Sequence, residues 1–482
     1  MNSISSFNPV FSTTQVSAPQ GQASADNGVD ISYNSQDAVV IDQHVVHMPT
    51  LHSKPCSLEG NDVAFKDTRF LELKPNDEGT YTFKPGTKKH AAAASMVTVQ
   101  KTIDEMSAKF GKLNWAFGAE KIGLNPDAGT DFNAYYTRDG GSLNFFHGND
   151  RAAKNVVYSG ASGEVVSHEV GHAVLDAVRP GYFDTWKTDT NGFHEAFGDL
   201  TALYMSTQDD AACALAVQET GGDLHKPSCL SRTGEQLGRA INAAYGTPDK
   251  DGHDCVRSLI NDCKWQDPNT VGKDDPSLST EMHSWSRIFS GANYDILADI
   301  TAKNIADGMN PAEAIKAAGD TSMTLLAEAV KMAPAHDASY KDIALLMLKA
   351  DDNNGGAYHD IILNNMRERN ILGAGDDTPS DFSIESVGTR PMTITLGDDC
   401  GMFAGAEVTG TVRDCIGLDD TNPGAELAQD LKLLIQNGCI LYTEPNQKVE
   451  TKDLFDKNGN PYIGVVRWTD GKMVIERNKM IG

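Results

Sequence analysis

The stretch VVSHEVGHAVLDA, residues 165–177, decides how the rest of the chain is read. It reads as a helix, and residues four apart on a helix share a face. His168 and His172 can therefore point at one ion. Two neutral imidazoles suit Zn²⁺, which takes about four ligands and in catalytic sites keeps one position open for water. Glu169, beside the first histidine, projects next to that open position, where a carboxylate takes a proton as general base. The competing reading is two polar residues that share a helical face by chance.

A third ligand is on offer downstream. GFHEAFGDL (192–200) sets Glu195 and Asp199 one helical turn apart, with 22 residues between His172 and Glu195. Glu195 completes a His, His, Glu set, and Asp199 is placed to accept a hydrogen bond from a metal-bound histidine and fix its tautomer. A plain exposed charged face does not fit here. Phe193, Ala196, Phe197, Leu200 and Leu203 surround the two carboxylates with apolar residues, so the pair is expected to be flanked by core.

The bulk properties exclude other classes. The 482 residues carry a net charge of −26, with no basic patch of the kind that neutralises phosphates, so nucleic acid is not an expected partner. No run approaches the ~18 apolar residues of a membrane span. The first residues, MNSISSFNPVFSTTQVSAPQGQASADNG, are polar and lack the basic and apolar regions of a standard secretory signal, so residues 1–40 read as a disordered leader. The eight cysteines, Cys56, Cys213, Cys229, Cys255, Cys263, Cys400, Cys415 and Cys439, form no CxxC pair. Cys255 with Cys263, or Cys400 with Cys415, are close enough in sequence to be disulfides in an oxidising compartment, and their redox state stays open.

The layout along the chain is strand-rich first and helical later. AVVIDQHVVHM (38–48) and TYTFKPGT (80–87) read as strand-like. A helix follows over 91–111, where Val99, Ile103, Met106 and Phe110 fall at helical spacing. DFNAYYTRDGGSLNFFHG (131–148) reads as two short strands around an Asp-Gly-Gly turn. From 211 to 373 amphipathic periods such as PAEAIKAAG and SYKDIALLMLKA dominate, and GAGDDTPSDFS (373–383) reads as a linker. MTITLG, LLIQNGCILYT and YIGVVRWTDGKMVIE then suggest a small β-rich C-terminal domain over 374–482. The expected fold class is α+β, with a catalytic unit divided into residues 41–210 and 211–373.

HEVGH followed by the Glu-x-x-x-Asp of EAFGD resembles the thermolysin-like zinc metallopeptidases of the gluzincin group. The resemblance spans roughly residues 45–373. It implies a two-lobed zincin fold and a zinc endopeptidase, with Zn²⁺ held by His168, His172 and Glu195 and with Glu169 as base. FNAYY (132–136) resembles the family's substrate-binding edge strand, which makes Asn133 and Ala134 substrate contacts; a free strand edge suits an extended peptide. EMHSWSRIFSGANYDIL (281–297) is similar to the segment that carries the second catalytic histidine, which makes His283 the donor to the oxyanion, with Asp275 or Glu281 as its acidic partner. By the same resemblance Val165 lines an apolar pocket for the residue after the scissile bond, Arg232 binds the substrate carbonyl, and Tyr182 stands by the oxyanion, with Phe183 competing for the same register.

The chain also departs from that family. His194 stands where an asparagine is usual, and Ser206 stands in place of a calcium-binding carboxylate. Ca²⁺ is then left to acidic loops such as DKDGHD (249–254), DDNNGG (351–356) and DKNGN (456–460), none with a full calcium-loop pattern. With no standard signal and little room for a propeptide, the expected setting is secretion by an unconventional route, as an effector or toxin, with the cytoplasm as the alternative. The expected partner is a peptide or protein substrate. A catalytically inactive zinc-binding scaffold that recruits a protein partner is the alternative function, and the intact Glu169 speaks against it.

Overall fold

The computed structural model describes residues 28–37, 40–67, 72–151, 153–245, 255–272, 277–376, 389–413 and 422–482. The architecture mixes helices and sheets. A 23-residue helix, Lys88–Phe110, starts at Thr87, whose side chain accepts from His90 N, and ends at Gly111, whose φ of 82° suits glycine. Its apolar face carries Val99, Ile103 and Met106 into the core. The HEVGH segment lies on the helix Gly163–Val178, capped by the Ser162 side chain and stopped just ahead of Pro180.

EAFGD lies on Thr188–Thr207, whose sequence is poor in helix formers: it holds two glycines, an asparagine and several threonines. Burial compensates, since every residue from Thr190 to Ser206 is buried and Phe193 and Phe197 are fully so. Helices of this kind are held by tertiary packing rather than by propensity. The longer helices Met282–Ala306, Pro311–Met332 and Tyr340–Asn353 pack around it, with Phe289 edge-on to Phe193 at 5.2 Å.

A seven-stranded sheet runs in the order Met480–Ile481, Ala134–Thr137, Ser142–Phe145, Ile122–Asn125, Val63–Phe65, Ser57–Gly60, Leu51–Lys54. The Asp-Gly-Gly turn joins the second and third of these, with Gly140 and Gly141 at positive φ. The strand that carries Ala134 is not a free edge. The outer side is paired with residues from the far end of the chain, a correction to the edge expected from FNAYY.

Residues 389–477 supply a second, five-stranded sheet ordered Thr389–Thr395, Glu407–Arg413, Lys472–Arg477, Gly464–Thr469, Ile440–Leu441. A 14-residue helix, Pro423–Gln436, packs on it. LLIQ, read above as strand, is the last turn of that helix. Leu427, Leu431 and Leu434 fall three and four apart, Pro423 opens it behind an Asn422 cap, and only Ile440–Leu441 beyond Gly438 is extended.

Two further expectations change. Val29–Tyr33, inside the expected leader, is a buried strand paired with His44–Met48, since its alternation VDISY suits a half-buried edge. TYTFKPGT is no strand: only Tyr81 makes an isolated bridge, to Ile31. The linker expected at 373–383 falls largely outside the described residues. Among those described, no helix is long and apolar enough to cross a membrane, and no disulfide joins two cysteines; Cys415 lies outside them.

Candidate metal centre

The two helices that carry the site cross closely because of two glycines. A Cβ at Gly171, inside HEVGH, would stand 3.0 Å from Gly198 Cα, and a Cβ at Gly198, inside EAFGD, would stand 2.7 Å from His168 Cε1. Only hydrogen fits at either place, and the imidazole of His168 lies against the bare Gly198 backbone.

That crossing brings His168, His172 and Glu195 together, with one potential ligand atom from each lying within 4.8 Å of the others, all three residues buried. His168 Nε2 is 3.4 Å from one Glu195 oxygen, and His172 Nε2 is 3.6 Å from the other. His172 Nε2 and Glu195 Oε1 are buried with no hydrogen-bond partner. Unpartnered lone pairs converging in a dry interior are costly, and a cation at their centre removes that cost. The donor set, two imidazole nitrogens and a carboxylate, therefore fits a metal ion.

The surroundings orient these groups. His168 Nδ1 stands 3.1 Å from Asp199 Oδ1, a pairing that turns Nε2 toward the centre. His172 Nδ1 faces His194 Nδ1 at 3.0 Å, so His194 contacts one of the three grouped residues. Burial holds the His172 imidazole well below its usual value, hence neutral and able to ligate. Burial and Arg257 push His168 down, but Asp199 and Glu195 outweigh them and lift it to about 9. Burial raises the Glu195 carboxyl, yet His283, His172, His168 and Arg257 together hold it well below the carboxylate range. Glu169 is 2% exposed, with Oε2 unpartnered, and burial pushes it up to about 8.

His283 reaches the same centre from the helix Met282–Ala306, with Nε2 3.3 Å from Glu195 Oε2. Its acidic partner is Glu281, at 2.7 Å from Nδ1; Asp275 lies outside the described residues.

Arg232 does not reach the centre. Its guanidinium is held by Glu219 at 3.2 Å and Glu235 at 3.3 Å. The arginine at the site is Arg257, with Nη1 3.2 Å from Glu195 Oε2, Nε 3.0 Å from Asp199 Oδ1 and Nη2 3.3 Å from His168 Nε2. The strand pairing explains the exchange. Arg257 stands opposite Thr233 and Arg232 opposite Ser258, so alternation sends the two guanidinium groups to opposite faces. Sequence reasoning missed Arg257 because no spacing rule ties it to Glu195. One signal was available: two carboxylates buried one turn apart need a cation.

Tyr182 is a fully buried core side chain, its ring edge-on to Phe193 at 6.1 Å. Val165 is buried on the first turn of the HEVGH helix and packs 3.4 Å from where a Cβ of Gly234 would stand. Asn133 donates to Gly459 O at 3.2 Å, and its own Oδ1 accepts from Ala134 N. Ser206 is buried near the end of its helix.

Of the expected calcium loops, DKNGN behaves as a turn and DDNNGG begins in the last turn of Tyr340–Asn353. Asp456 Oδ1 accepts from Asn458 N and Asn460 N. Asp351 and Asp352 group with His359, but Asp351 accepts from Tyr358 N and Asp352 pairs with His359 at 3.1 Å. DKDGHD lies outside the described residues.

No family model and no curated protein matches the chain. Among solved structures, the precursor of protealysin, a metalloproteinase from Serratia proteamaculans, is similar over 67% of this chain and 92% of that one, at 14% sequence identity and a TM-score of 0.39.

Proposed function

We propose that the chain is a zinc-dependent endopeptidase, with Zn²⁺ held by His168, His172 and Glu195. The observation that carries this reading is the convergence of two imidazole nitrogens and a carboxylate, with orphaned lone pairs, beside an unpartnered Glu169 oxygen. Bound there, zinc would supply Lewis-acid polarisation of a carbonyl and a lowered pKa for water. Glu169 takes the proton of the attacking water and returns it to the leaving amine. His283 and Arg257, both at the Glu195 carboxylate, donate to the carbonyl oxygen as it gains negative charge. Asp199 and Glu281 hold the two histidines that face them in fixed tautomers.

The strand Ala134–Thr137 supports a peptide substrate, because its outer side accepts an extended segment in a backbone ladder. Val165 supports a preference for an apolar residue after the scissile bond. Zinc-loaded protein, freed of the Met480–Ile481 strand that occupies the outer side of Ala134–Thr137, should cleave an unstructured protein such as casein, lose that activity with a chelator and regain it with zinc. A zinc-loaded chain with its cleft open that cuts no peptide would exclude the reading and favour the inactive scaffold.

A further inference from the structure

We infer that residues Lys479–Gly482 are an internal ligand of the cleft, seated where an extended peptide substrate binds, and that they hold the enzyme latent. The inference rests on the peptidase reading for the word latent, and on geometry alone for the occupancy.

The ladder is antiparallel, with Met480 opposite Thr137 and Ile481 opposite Tyr136. Lys479 O continues it, accepting from Arg138 N at 3.0 Å and from Thr137 Oγ1 at 3.0 Å. The segment then runs on to the base. A Cβ built at Gly482 would stand 2.7 Å from Glu169 Oε2 and 2.9 Å from Ala134 O. Nothing larger than glycine passes there, and its φ of 138° is one that glycine tolerates.

A strand that merely covered a sheet edge would have no reason to bring Gly482 against the Glu169 carboxylate. Backbone pairing with pockets for alternate side chains is how an extended peptide is recognised. Ile481 fills the apolar position, 3% exposed and packed into the core.

The sheet that precedes the segment holds it in place. Arg477 donates to Phe183 O at 2.8 Å and to Asn191 Oδ1 at 3.2 Å, one turn before Glu195 on the same helix. Asn133, expected to contact substrate, donates instead to Gly459 O, and Tyr135 packs on Phe455 with ring centroids 5.4 Å apart. Asn133 and Tyr135, both within FNAYY, are thus engaged by residues 455–482. A tethered occupant competes at an effective concentration of about millimolar, enough to exclude free peptides of ordinary affinity. The occupant also names a substrate class: extended peptides with an aliphatic side chain opposite Tyr136.

The test separates occupancy from activity. Full chains carrying Ile481→Asp, or lacking residues 480–482, are compared with the unaltered chain, each also with Glu169→Gln. A fluorescent peptide ERNKMIG, matching residues 476–482, should bind the shortened Glu169→Gln chain and bind the full Glu169→Gln chain at least about tenfold more weakly. The same peptide with aspartate for isoleucine should bind neither. Zinc-loaded shortened and Ile481→Asp chains should cleave a quenched peptide at least about tenfold faster than the unaltered chain. Equal peptide binding to both Glu169→Gln chains overturns the occupancy. Differential binding with equal cleavage overturns latency. Differential binding with no cleavage by any chain leaves the occupancy standing and overturns the peptidase reading.

Discussion

Glu281 serves His283 twice: one oxygen lies 2.7 Å from His283 Nδ1, and the other caps the helix that carries the histidine, accepting from Ser284 N at 3.1 Å. The ring is thereby fixed in tautomer and direction by the residue that starts its helix. Burial pushes the imidazole down, but Glu195 and Glu281 raise it above its usual value, in keeping with a donor that faces negative charge.

Replacing Glu281 with Ala should cost about 1 kcal/mol of stability through the lost cap. It should also lower kcat by up to about 10²-fold, since a misaimed donor no longer meets the oxyanion. Denaturant unfolding and steady-state kinetics measure the two effects separately. Glu281→Gln keeps a capping oxygen, so it should recover most of the stability and less of the rate.

Gly198→Ala places a methyl 2.7 Å from the His168 ring and between the two site helices. Overpacking of this kind costs about 1–3 kcal/mol, and here the strain falls on His168, one of the three residues proposed to hold the metal. Zinc content per chain after dialysis should fall together with the melting temperature. Normal zinc content in this variant would argue against His168 as a ligand.

Arg257 is the cation between Glu195 and Asp199, and truncation to Ala leaves two buried carboxylates short of a partner. Breaking a buried ion pair from one side costs about 3–5 kcal/mol, and the loss should be larger in zinc-free protein than in zinc-loaded protein. Arg232→Ala, whose partners Glu219 and Glu235 lie elsewhere, should leave zinc affinity unchanged. Urea unfolding with and without zinc distinguishes the two arginines.

Glu235 sets a pH dependence away from the metal. Burial and the nearby Asp37 carboxylate push it up to about 7, from an ordinary value near 4.5. Between those values the folded chain binds more protons than the unfolded chain, so stability falls as pH rises. The contribution is complete below about pH 4.5 and gone above about pH 7. Glu235→Gln should flatten that slope by on the order of a kcal/mol, read from denaturation of zinc-free protein at pH 5 and 7.5.

What the sequence displays of this site is what local periodicity carries. His168 and His172 are paired by one helical turn, Glu195 and Asp199 by another, and the turn around Gly140 and Gly141 marks the hairpin that bears Asn133 and Ala134. Contacts across long stretches of chain leave no such trace. Arg257 reaches Glu195 over 62 residues, and Ile481 pairs with Tyr136 over more than three hundred, through backbone groups that every residue possesses. Amphipathicity without a clear length also misleads, as LLIQ does at the end of its helix. Tyr182 and Phe183 are adjacent aromatics that are both fully buried, and sequence offers no means of choosing which of them faces the centre.

In the proposed mechanism Glu169 moves protons at a metal held by His168, His172 and Glu195. Zinc content and peptide hydrolysis, measured together in chains lacking residues 480–482 with Glu169 or with Gln at that position, test it most directly. About one zinc per chain is expected in both, with a loss of hydrolysis of at least about 10²-fold in the Gln variant. Equal hydrolysis by the two proteins would contradict it.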